Sequence, residues 1–238
     1  MDFRSVSSVA VLTGAGISAE SGVPTFRGKD GLWRQYRVED LATPEAFRRN
    51  PTLVWEWYDW RRELIANCQP NQAHLTLAEM EKALPGFTLI TQNVDGLHRR
   101  AGSQKVVELH GNLWDVRCVA EGTVREFRDV PLPEVPPRCQ CGALLRPNVV
   151  WFGESLPAGA IAAAQEAAMN CHLMLVIGTS GVVHPAASMP LWAKQGGAYV
   201  IEINVQRTPI STYADEVTLG PAAVEVPKLW AKWRKALE

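Results

Sequence analysis

The sequence predicts an α/β fold built on a parallel sheet with helices on both faces. Short apolar runs rich in β-branched residues alternate with helical segments along most of the chain. Strands that are apolar on both faces and are joined by helices are typical of parallel sheets buried on both sides. The predicted strands cover residues 9–12, 87–90, 106–109, 173–177, 199–203 and 216–219.

Capping residues predict where the helices begin. Asn50, followed by Pro51, precedes a helix over 52–67, and Asn71 precedes a helix over 72–84. An Asn side chain accepts a hydrogen bond from an unpaired N–H group of the first turn, and Pro is favoured at the first helical position. Further helices are predicted over 158–169, 184–194 and 221–236.

Two segments interrupt this alternation. Residues 25–47 look like a loop that carries charges and aromatic side chains, whereas residues 117–147 hold three cysteines and show little helical periodicity. We expect the two segments to form a small lobe. The rest of the chain would form one larger domain from residues 1–24, 48–116 and 148–238.

Composition excludes several classes of protein. Lys and Arg total 24 against 25 for Asp and Glu, and no long basic run exists, so general nucleic-acid binding is not expected. No apolar run approaches the length of a membrane span, and the N-terminal segment lacks a signal-peptide cleavage pattern. We therefore expect a cytoplasmic protein that does not bind membranes.

A glycine-rich segment, GAGISA at 14–19, follows the first predicted strand and satisfies the dinucleotide pattern G-x-G-x-x-G/A. Small residues there let the backbone approach a pyrophosphate, whose charge then lies at a helix N-terminus. The alternative is a glycine-rich turn that packs a helix on a strand. A dehydrogenase would also need a second strand ending in an acidic residue, and residues 22–28 are no strand. The sequence thus predicts a nucleotide ligand without hydride transfer.

Polar residues follow four of the predicted strands. They are TQNVDGLH at 91–98, HGN at 110–112, GTS at 178–180 and Asn204. Ligands of open α/β sheets bind beyond the carboxyl ends of the strands, so we expect these residues to share one crevice with the glycine-rich segment. Turn formation is the simpler explanation for Asn93 and Asp95, but residues 92–95 offer more polar positions than a turn requires.

Taken in order, several strings resemble the sirtuin family of NAD-dependent protein deacylases. They are GAGISAESGVPTFRG at 14–28, TQNVDGLH at 91–98, HG at 110–111, VVWFGE at 149–154, GTS at 178–180 and IN at 203–204. The match covers nearly the whole chain, and the longer strings are ungapped. The resemblance implies a Rossmann-like domain that binds NAD, acylated lysine side chains of proteins as substrates, and nicotinamide and O-acyl-ADP-ribose as products.

The resemblance also implies roles for individual residues. His110 would be the catalytic base, with Asn93 and Asp95 completing the catalytic set. The implied cofactor contacts are Gly14, Ala15, Gly16, Glu20, Phe26, Arg27, Gln92, Asn93, Asp95, Gly178, Thr179, Ser180, Asn204 and Ala222. The implied strand that pairs with the substrate peptide consists of Val150, Trp151, Phe152, Gly153 and Glu154.

Such a reaction suits these residue types. The substrate amide oxygen has to be held against the anomeric carbon of NAD while nicotinamide leaves, which is mainly a positioning problem. A sugar hydroxyl then needs a base that works near neutral pH, and the imidazole of His110 meets that need. A lone histidine is more often structural, but the position of His110 among the other strings favours catalysis. We expect His74, His172 and His184 to be structural and His98 to orient the loop at 91–98.

The predicted helix after Asn50 contains a Tyr-x-x-Arg pattern. Tyr58 and Arg61 lie about one turn apart on one face, and Trp55, Trp57 and Trp60 would supply apolar walls. A hydroxyl and a guanidinium can bind a carboxylate by charge-assisted hydrogen bonds. The pattern resembles class III sirtuins, which accept succinyl-, malonyl- or glutaryl-lysine besides acetyl-lysine. The alternative is that Tyr58 only packs and Arg61 pairs with a surface acid such as Glu56. Plain deacetylation, ADP-ribosyl transfer and nucleotide sensing remain alternative functions.

Five cysteines make a disulfide framework improbable in a chain of this size. Sirtuins usually carry four cysteines that hold a structural zinc. Here Cys118, Cys139 and Cys141 leave the set one thiolate short, and Glu121 stands where the fourth ligand is expected. Zinc accepts a carboxylate, so a mixed site is one alternative. A weakened or lost zinc site is the other, which the sequence slightly favours. Cys68 and Cys171 are expected to be buried thiols.

Overall fold

The computed structural model describes residues 3–26, 31–32 and 37–237. These residues contain a six-stranded sheet and a three-stranded sheet. The strands are β1 (Ser8–Thr13), β2 (Gly86–Thr91), β3 (Val106–Glu108), β4 (Gly111–Cys118), β5 (Val124–Glu126), β6 (Leu145–Val149), β7 (Leu173–Ile177), β8 (Tyr199–Asn204) and β9 (Glu216–Leu219). The larger sheet has the order β3-β2-β1-β7-β8-β9, and the smaller has the order β5-β4-β6.

The α-helices of the described residues connect and cover these strands. They are α1 (Val38–Leu41), α2 (Pro44–Arg49), α3 (Pro51–Ala66), α4 (Gln72–Ala83), α5 (Leu97–Arg100), α6 (Ala158–Asn170), α7 (Met189–Gln195) and α8 (Ala222–Leu237). As predicted, Asn50 and Asn71 accept hydrogen bonds from the first turns of α3 and α4, at the N–H groups of Leu53 and Ala73. Within the described residues, no helix combines the length and the apolar character that crossing a bilayer requires.

The predicted parallel sheet is confirmed, with β1 between β2 and β7. Alternate residues of β1 belong to different cores. Val9 and Val11 cluster with side chains of α4 and α8, whereas Ala10 and Leu12 cluster with side chains of α6 and α7. This period of two places helices on both faces of the sheet and explains why β1 reads as a continuous apolar run.

The small antiparallel sheet is larger than the sequence indicates. It begins at Gly111 in β4 and ends at Val149 in β6, beyond both ends of the predicted segment 117–147. Residues 25–47, expected to be loop, contain α1 and the first residues of α2 among their described residues. Thr43 caps α2 by accepting a hydrogen bond from the Ala46 N–H, so the start of this helix carries a capping signal in the sequence.

Helix α3 packs on the small sheet, although its sequence position suggested the larger domain. Trp55, Tyr58 and Ile65 of α3 share a core with buried residues of β4 and β6. Trp55 Nε1 donates to the Leu145 carbonyl of β6, at 2.8 Å. The buried Arg62 donates to the carbonyls of Leu113, Phe127 and Asp129. Amphipathic periodicity shows that a helix has a buried face without showing which sheet that face meets.

Two helix predictions also needed correction. The segment after β1 is a 3-10 helix over Ala15–Ser21 and not an α-helix. The helix predicted over 184–194 begins as an α-helix only at Met189, after a 3-10 turn over Ala186–Ser188. Pro185 and Pro190 explain the delay, because proline fits only the first turn of an α-helix.

Candidate active site

The carboxyl ends of four strands lie side by side in the larger sheet. Thr13 at the end of β1 is opposite Thr91 of β2 and Ile177 of β7, and Ile177 is opposite Ile203 of β8. The loops that follow these strands therefore meet at one edge, where the strand order reverses beside β1. They border a cleft of about 710 Å³, a size typical of small-molecule sites.

Most of the predicted site residues line this cleft. From the nucleotide set these are Gly14, Ala15, Gly16, Phe26, Gln92, Asn93, Gly178, Thr179, Ser180 and Asn204, together with His110. From the substrate set they are Tyr58, Arg61, Val150, Trp151, Phe152, Gly153 and Glu154. The structure thus brings the two sets into one space, with the small sheet and α3 on one side and the strand ends on the other.

The glycines at the start of the cleft allow two loops to touch. A Cβ atom on Gly14 or Gly16 would lie 2.8 or 2.7 Å from the carbonyl oxygen of Gly178. The Gly16 N–H donates to that oxygen at 2.8 Å, and Gly178 itself has a φ of +60°. Close contact between the loops after β1 and β7 is therefore a reason for these glycines, in addition to the predicted approach to a pyrophosphate.

His110 has a defined tautomer. Its Nδ1 lies 2.9 Å from the Gln92 carbonyl oxygen, which can only accept, so Nδ1 carries the proton and Nε2 is the basic nitrogen. Burial lowers the pKa of His110, and the bond to Gln92 acts in the opposite direction. The result is a neutral imidazole at neutral pH that borders the cleft. This is the state that a general base requires.

Asn93 is hydrogen-bonded to residues at the ends of two neighbouring strands, β1 and β2. Its Nδ2 donates to the Gly14 carbonyl at 3.1 Å and to Ser18 Oγ at 3.3 Å. Its N–H donates to Thr91 Oγ1 at 3.0 Å. The Asn93 side chain is therefore fixed across the gap between the loops that follow β1 and β2.

Asp95 lies behind this layer and does not line the cleft. Its Oδ2 accepts from Ser18 Oγ at 2.8 Å, and its Oδ1 accepts from the Leu97 N–H at 2.9 Å. Burial raises the pKa of Asp95, while these two hydrogen bonds oppose the shift. Both oxygens accept hydrogen bonds that support the loop from below. The predicted contact of Asp95 with a ligand stays a prediction.

A buried chain of hydrogen bonds links Asp95 to helix α4. The Asn71 N–H donates to His74 Nδ1, so His74 Nε2 carries the proton and donates to Ser18 Oγ, 3.2 Å away. Ser18 in turn donates to Asp95. The His98 ring lies 4.8 Å from that of His74, and its Nε2 is 3.0 Å from Thr13 Oγ1. His74 and His98 are thus structural, as predicted, and hold the layer beneath the cleft.

Two further described residues of the predicted cofactor set, Glu20 and Ala222, do not line the cleft. Glu20 Oε2 accepts from the Ala223 N–H at 2.9 Å, at the start of α8, and Ala222 is buried beside it. Unpaired N–H groups at a helix N-terminus attract a carboxylate, which explains this position of Glu20. Arg27 lies outside the described residues.

Tyr58 and Arg61 form the inner wall of the cleft with Trp57. Arg61 is buried, and its Cζ lies 4.7 Å from the Phe26 ring centroid and 5.0 Å from that of Trp57. Within the described residues Arg61 forms no ion pair with a carboxylate at salt-bridge distance, and Asp95 attracts it only at longer range. The alternative pairing of Arg61 with Glu56 is therefore wrong.

Only one of the three tryptophans expected around this pocket lines it. Trp57 precedes Arg61 by four residues and shares its face of α3. Trp55 is buried in the core with Leu145, and Trp60 is 38% exposed. Trp60 is adjacent to Arg61 in the sequence, and Trp55 is two positions from Trp57. Positions one or two apart on a helix do not face each other, which separates both tryptophans from the pocket.

The segment after β6 is not a strand. Strand β6 ends at Val149, and residues 150–154 turn, with the Glu154 N–H donating to the Trp151 carbonyl at 3.0 Å. The N–H groups of Val150 and Phe152 are bonded to the carbonyls of His110 and Ala42. A peptide can therefore pair with this segment mainly by donating to the carbonyl groups of the segment, and not through the alternating N–H and carbonyl groups of a regular strand.

Some residues that line the cleft were not predicted. Residues 205–209 follow Asn204 at the end of β8, and Val183 and His184 follow the GTS string. His184, expected to be structural, borders the cleft and is exposed. The rule that ligands bind beyond the carboxyl ends of strands would have found these segments had it been extended a few residues further.

The three cysteines of the small lobe meet Glu121. One ligand atom from each of Cys118, Glu121, Cys139 and Cys141 lies within 4.8 Å of the others. Cys118 Sγ is 3.5 Å from Cys141 Sγ, and Cys139 Sγ is 3.8 Å from Glu121 Oε2. Three thiols and one carboxylate at these separations fit a tetrahedral zinc ion.

The fold and the cleft define a nucleotide-binding α/β protein with a second small lobe. A family model described as Sir2 family matches residues 14–185. The NAD-dependent protein deacylase of Aquifex aeolicus is 63% identical over 209 residues, which cover 87% of each chain. NAD-dependent protein deacylase 2 of Pyrobaculum aerophilum is 55% identical over 228 residues, covering 95% of this chain and 91% of the relative. The chain belongs to the Sir2 family, and the resemblance is confirmed.

Solved structures agree with this assignment. A Sir2 homologue in complex with NAD matches with a TM-score of 0.93 and 48% identity, covering 100% of this chain and 93% of that chain. A Sir2 protein in complex with a p53 peptide and NAD+ matches with a TM-score of 0.86 and 33% identity, covering 97% and 95%. The expected Rossmann-like fold is confirmed across the chain.

Proposed function

We propose that this NAD-dependent protein deacylase prefers lysine acyl groups that end in a carboxylate, namely succinyl and malonyl groups, and also removes acetyl groups. NAD is its cosubstrate, and acyl-lysine side chains of peptides and proteins are its substrates. The observation that carries the preference is the buried guanidinium of Arg61 in the wall of the cleft.

A buried cation without a paired anion is unfavourable, and an anionic ligand removes that cost. The guanidinium of Arg61 lies over the rings of Phe26 and Trp57, and these two contacts restrict its position. Tyr58, one turn away, adds a hydroxyl. Burial raises the pKa of Tyr58 to about 12, so this hydroxyl stays protonated at neutral pH. Two donors side by side suit a carboxylate.

The remaining cleft residues support deacylation. Bound NAD supplies an anomeric carbon from which nicotinamide can leave. The loops after β1, β7 and β8 surround the space expected for its nucleotide part, through Gly14, Thr179 and Asn204. Gln92 and Asn93, in the loop after β2, also line the cleft, and the Gln92 carbonyl is bonded to His110. His110 Nε2 offers a lone pair that can accept the proton of a sugar hydroxyl.

The decisive experiment compares acetyl-, succinyl- and malonyl-lysine versions of one peptide with NAD. Arg61→Met keeps the bulk of the side chain and removes the charge. The ratio of kcat/KM for succinyl-lysine to that for acetyl-lysine should fall about 10- to 100-fold, as expected for loss of hydrogen bonds to a charged group. Arg49→Met, at an exposed arginine of α2, is the matched control and should leave the ratio unchanged.

Several outcomes would contradict the proposal. If Arg61→Met lowers both activities equally, or changes neither, the carboxylate preference is wrong. His110→Ala should abolish deacylation of every peptide. Absence of deacylation by the parent protein would overturn the whole function, and ADP-ribose transfer to protein without acyl removal would favour the transferase alternative.

We also propose that Cys118, Cys139, Cys141 and Glu121 hold a structural zinc ion in the small lobe. Support comes from the separations of their ligand atoms and from the mixed sulfur and oxygen donors. Cys118 is the last residue of β4 and Glu121 lies in the turn after it, whereas Cys139 and Cys141 lie in the segment before β6. A metal there would tie these two parts of the chain together, without any part in the reaction.

A further inference from the structure

Trp151 makes a hydrogen bond that defines the state of Tyr58. The indole ring of Trp151 is 2% exposed, and its Nε1 lies 3.0 Å from Tyr58 Oη. An indole N–H can only donate. Tyr58 Oη therefore accepts from Trp151, and its own single proton is directed elsewhere.

The position of Trp151 is itself held by an ion pair. Arg146 and Glu154 form two parallel hydrogen bonds of 2.6 and 2.8 Å. The Arg146 guanidinium lies over the Trp151 ring, 3.6 Å from its centroid, and Glu154 Oε2 accepts from the Trp151 N–H at 2.8 Å. The ring also packs against Phe47, with centroids 5.3 Å apart. These contacts hold both the ring and the backbone of Trp151, so its indole N–H points in one direction.

This arrangement determines which hydrogen-bonding groups the pocket wall presents to a ligand. Tyr58 and Arg61 both line the cleft, and Arg61 is a donor only. With the Tyr58 oxygen occupied by Trp151, the hydroxyl also presents a donor to the remaining space. A carboxylate accepts at both oxygens and matches two donors, whereas a terminal amide presents its NH2 group to one of them.

We propose that Trp151 is a positioning residue that fixes Tyr58 as a donor and thereby selects acyl groups ending in a carboxylate over groups of the same shape ending in an amide. The inference rests on the proposed function. It assigns to Trp151 a part in acyl selection that is separate from the predicted contact between its backbone and the substrate peptide.

The test uses Trp151→Phe, which keeps an aromatic ring and removes the N–H donor. Three versions of one peptide are compared with saturating NAD: succinyl-lysine, acetyl-lysine and succinamoyl-lysine, in which a terminal amide replaces the carboxylate. Ratios of kcat/KM are used because altered peptide binding acts on all three substrates alike. The succinyl-to-acetyl ratio and the succinyl-to-succinamoyl ratio should each fall about fivefold, the effect of one hydrogen bond. The change should appear mainly in KM, since the contact exists in the bound ground state.

Trp55→Phe is the matched control. It removes an indole N–H bond to the Leu145 carbonyl in the same core, at a tryptophan that does not line the cleft. Both ratios should stay as in the parent protein. In a Tyr58→Phe background, Trp151→Phe should produce no further change in either ratio, because its partner is already absent.

The outcomes separate this inference from the proposed function. If Arg61→Met lowers the succinyl-to-acetyl ratio but Trp151→Phe leaves both ratios within twofold of the parent, Trp151 has no positioning role. An equal effect of Trp55→Phe, or an undiminished effect of Trp151→Phe without the Tyr58 hydroxyl, would overturn it too. If Arg61→Met also leaves the ratio unchanged, the carboxylate pocket is wrong and this inference fails with it.

Discussion

His110 shows how one hydrogen bond can set the state of a proposed catalytic base. The Gln92 carbonyl selects the tautomer in which Nε2 is basic, and partial burial disfavours the charged imidazolium. A sequence can indicate that a histidine follows a strand. Whether its ring is neutral and which nitrogen is basic depend on a carbonyl 18 residues away.

The acidic limb of the pH profile should reflect this environment. Because burial lowers the pKa of His110 below 6.5, the base stays unprotonated into mildly acidic solution. We expect kcat/KM to rise with pH through a midpoint below 6.5 and to be level near neutrality. Steady-state rates from about pH 5 to about pH 8 measure this, with saturating NAD. A midpoint clearly above 6.5 would contradict the neutral environment assigned to His110.

Individual residues also show the limits of pattern reasoning. Asn93, Gln92 and His110 could be predicted because each follows a strand end directly. Glu20 and Ala222 were assigned to the cofactor, yet Glu20 accepts from the first turn of α8. A carboxylate near a glycine-rich segment has the same sequence signature whether it meets a ligand or a helix N-terminus 203 residues away.

At the scale of elements, the small sheet depends on turns that carry few apolar residues. The turn after β4 includes Glu121 and exposed residues, and Cys141 is also exposed. Such turns have little hydrophobic stabilisation of their own. A metal bound by the four donors would supply what packing does not.

The proposed zinc site predicts about one zinc ion per chain in protein purified without chelators. Glu121→Gln should lower zinc affinity at least about tenfold in competition with a chelator, and should lower the Tm. Glu121→Cys should raise affinity by completing a four-thiolate site. Metal analysis by mass spectrometry and thermal unfolding are the measurements.

Glu126→Gln is the control for this prediction, because Glu126 is exposed on β5 and pairs with Arg128 outside the cysteine cluster. Equal metal content and Tm for the Glu121 and Glu126 variants would remove Glu121 from the site. Zinc-free protein with the parent Tm would show that the site has been lost.

Helix α3 illustrates a second feature of elements. Its buried apolar side chains contribute to the core of the small sheet, and Trp57 and Tyr58 of that core also line the cleft, together with Arg61. The residues proposed to recognise the acyl group are therefore supported by the small sheet, while the strand ends carry the residues proposed for catalysis. Changes that shift one sheet relative to the other should alter acyl preference as well as rate.

For the whole molecule, the buried histidines beneath the cleft couple stability to pH. Burial lowers the pKa of His74 to about 4, whereas an unfolded chain has a histidine pKa of about 6.5. Below pH 6.5 this histidine binds a proton in the unfolded chain but stays neutral in the folded chain. The contribution to stability is thus complete above pH 6.5 and is lost as the pH falls towards 4.

The lowered pKa of His74 contributes about 3 kcal/mol to the free energy of unfolding, which is lost between about pH 6.5 and about pH 4. The free energy of unfolding of the parent protein should therefore fall between about pH 6.5 and about pH 4.5, and His74→Asn should flatten the slope. Urea denaturation at several pH values measures it. His172→Asn, at an exposed histidine, is the control and should keep the parent slope. A parent slope that His74→Asn leaves unchanged would contradict the assignment.

The sequence by itself determined the α/β class, the central parallel strands, the capped helices α3 and α4 and the family. These follow from local causes, namely periodicity, capping residues and contiguous strings at strand ends. The tertiary structure alone decided which sheet α3 covers, that Trp151 donates to Tyr58, that Arg61 has no acidic partner among the described residues, and that Glu121 meets three cysteines. Such contacts join residues up to about a hundred positions apart, as Tyr58 and Trp151 are by 93, and no local pattern records them.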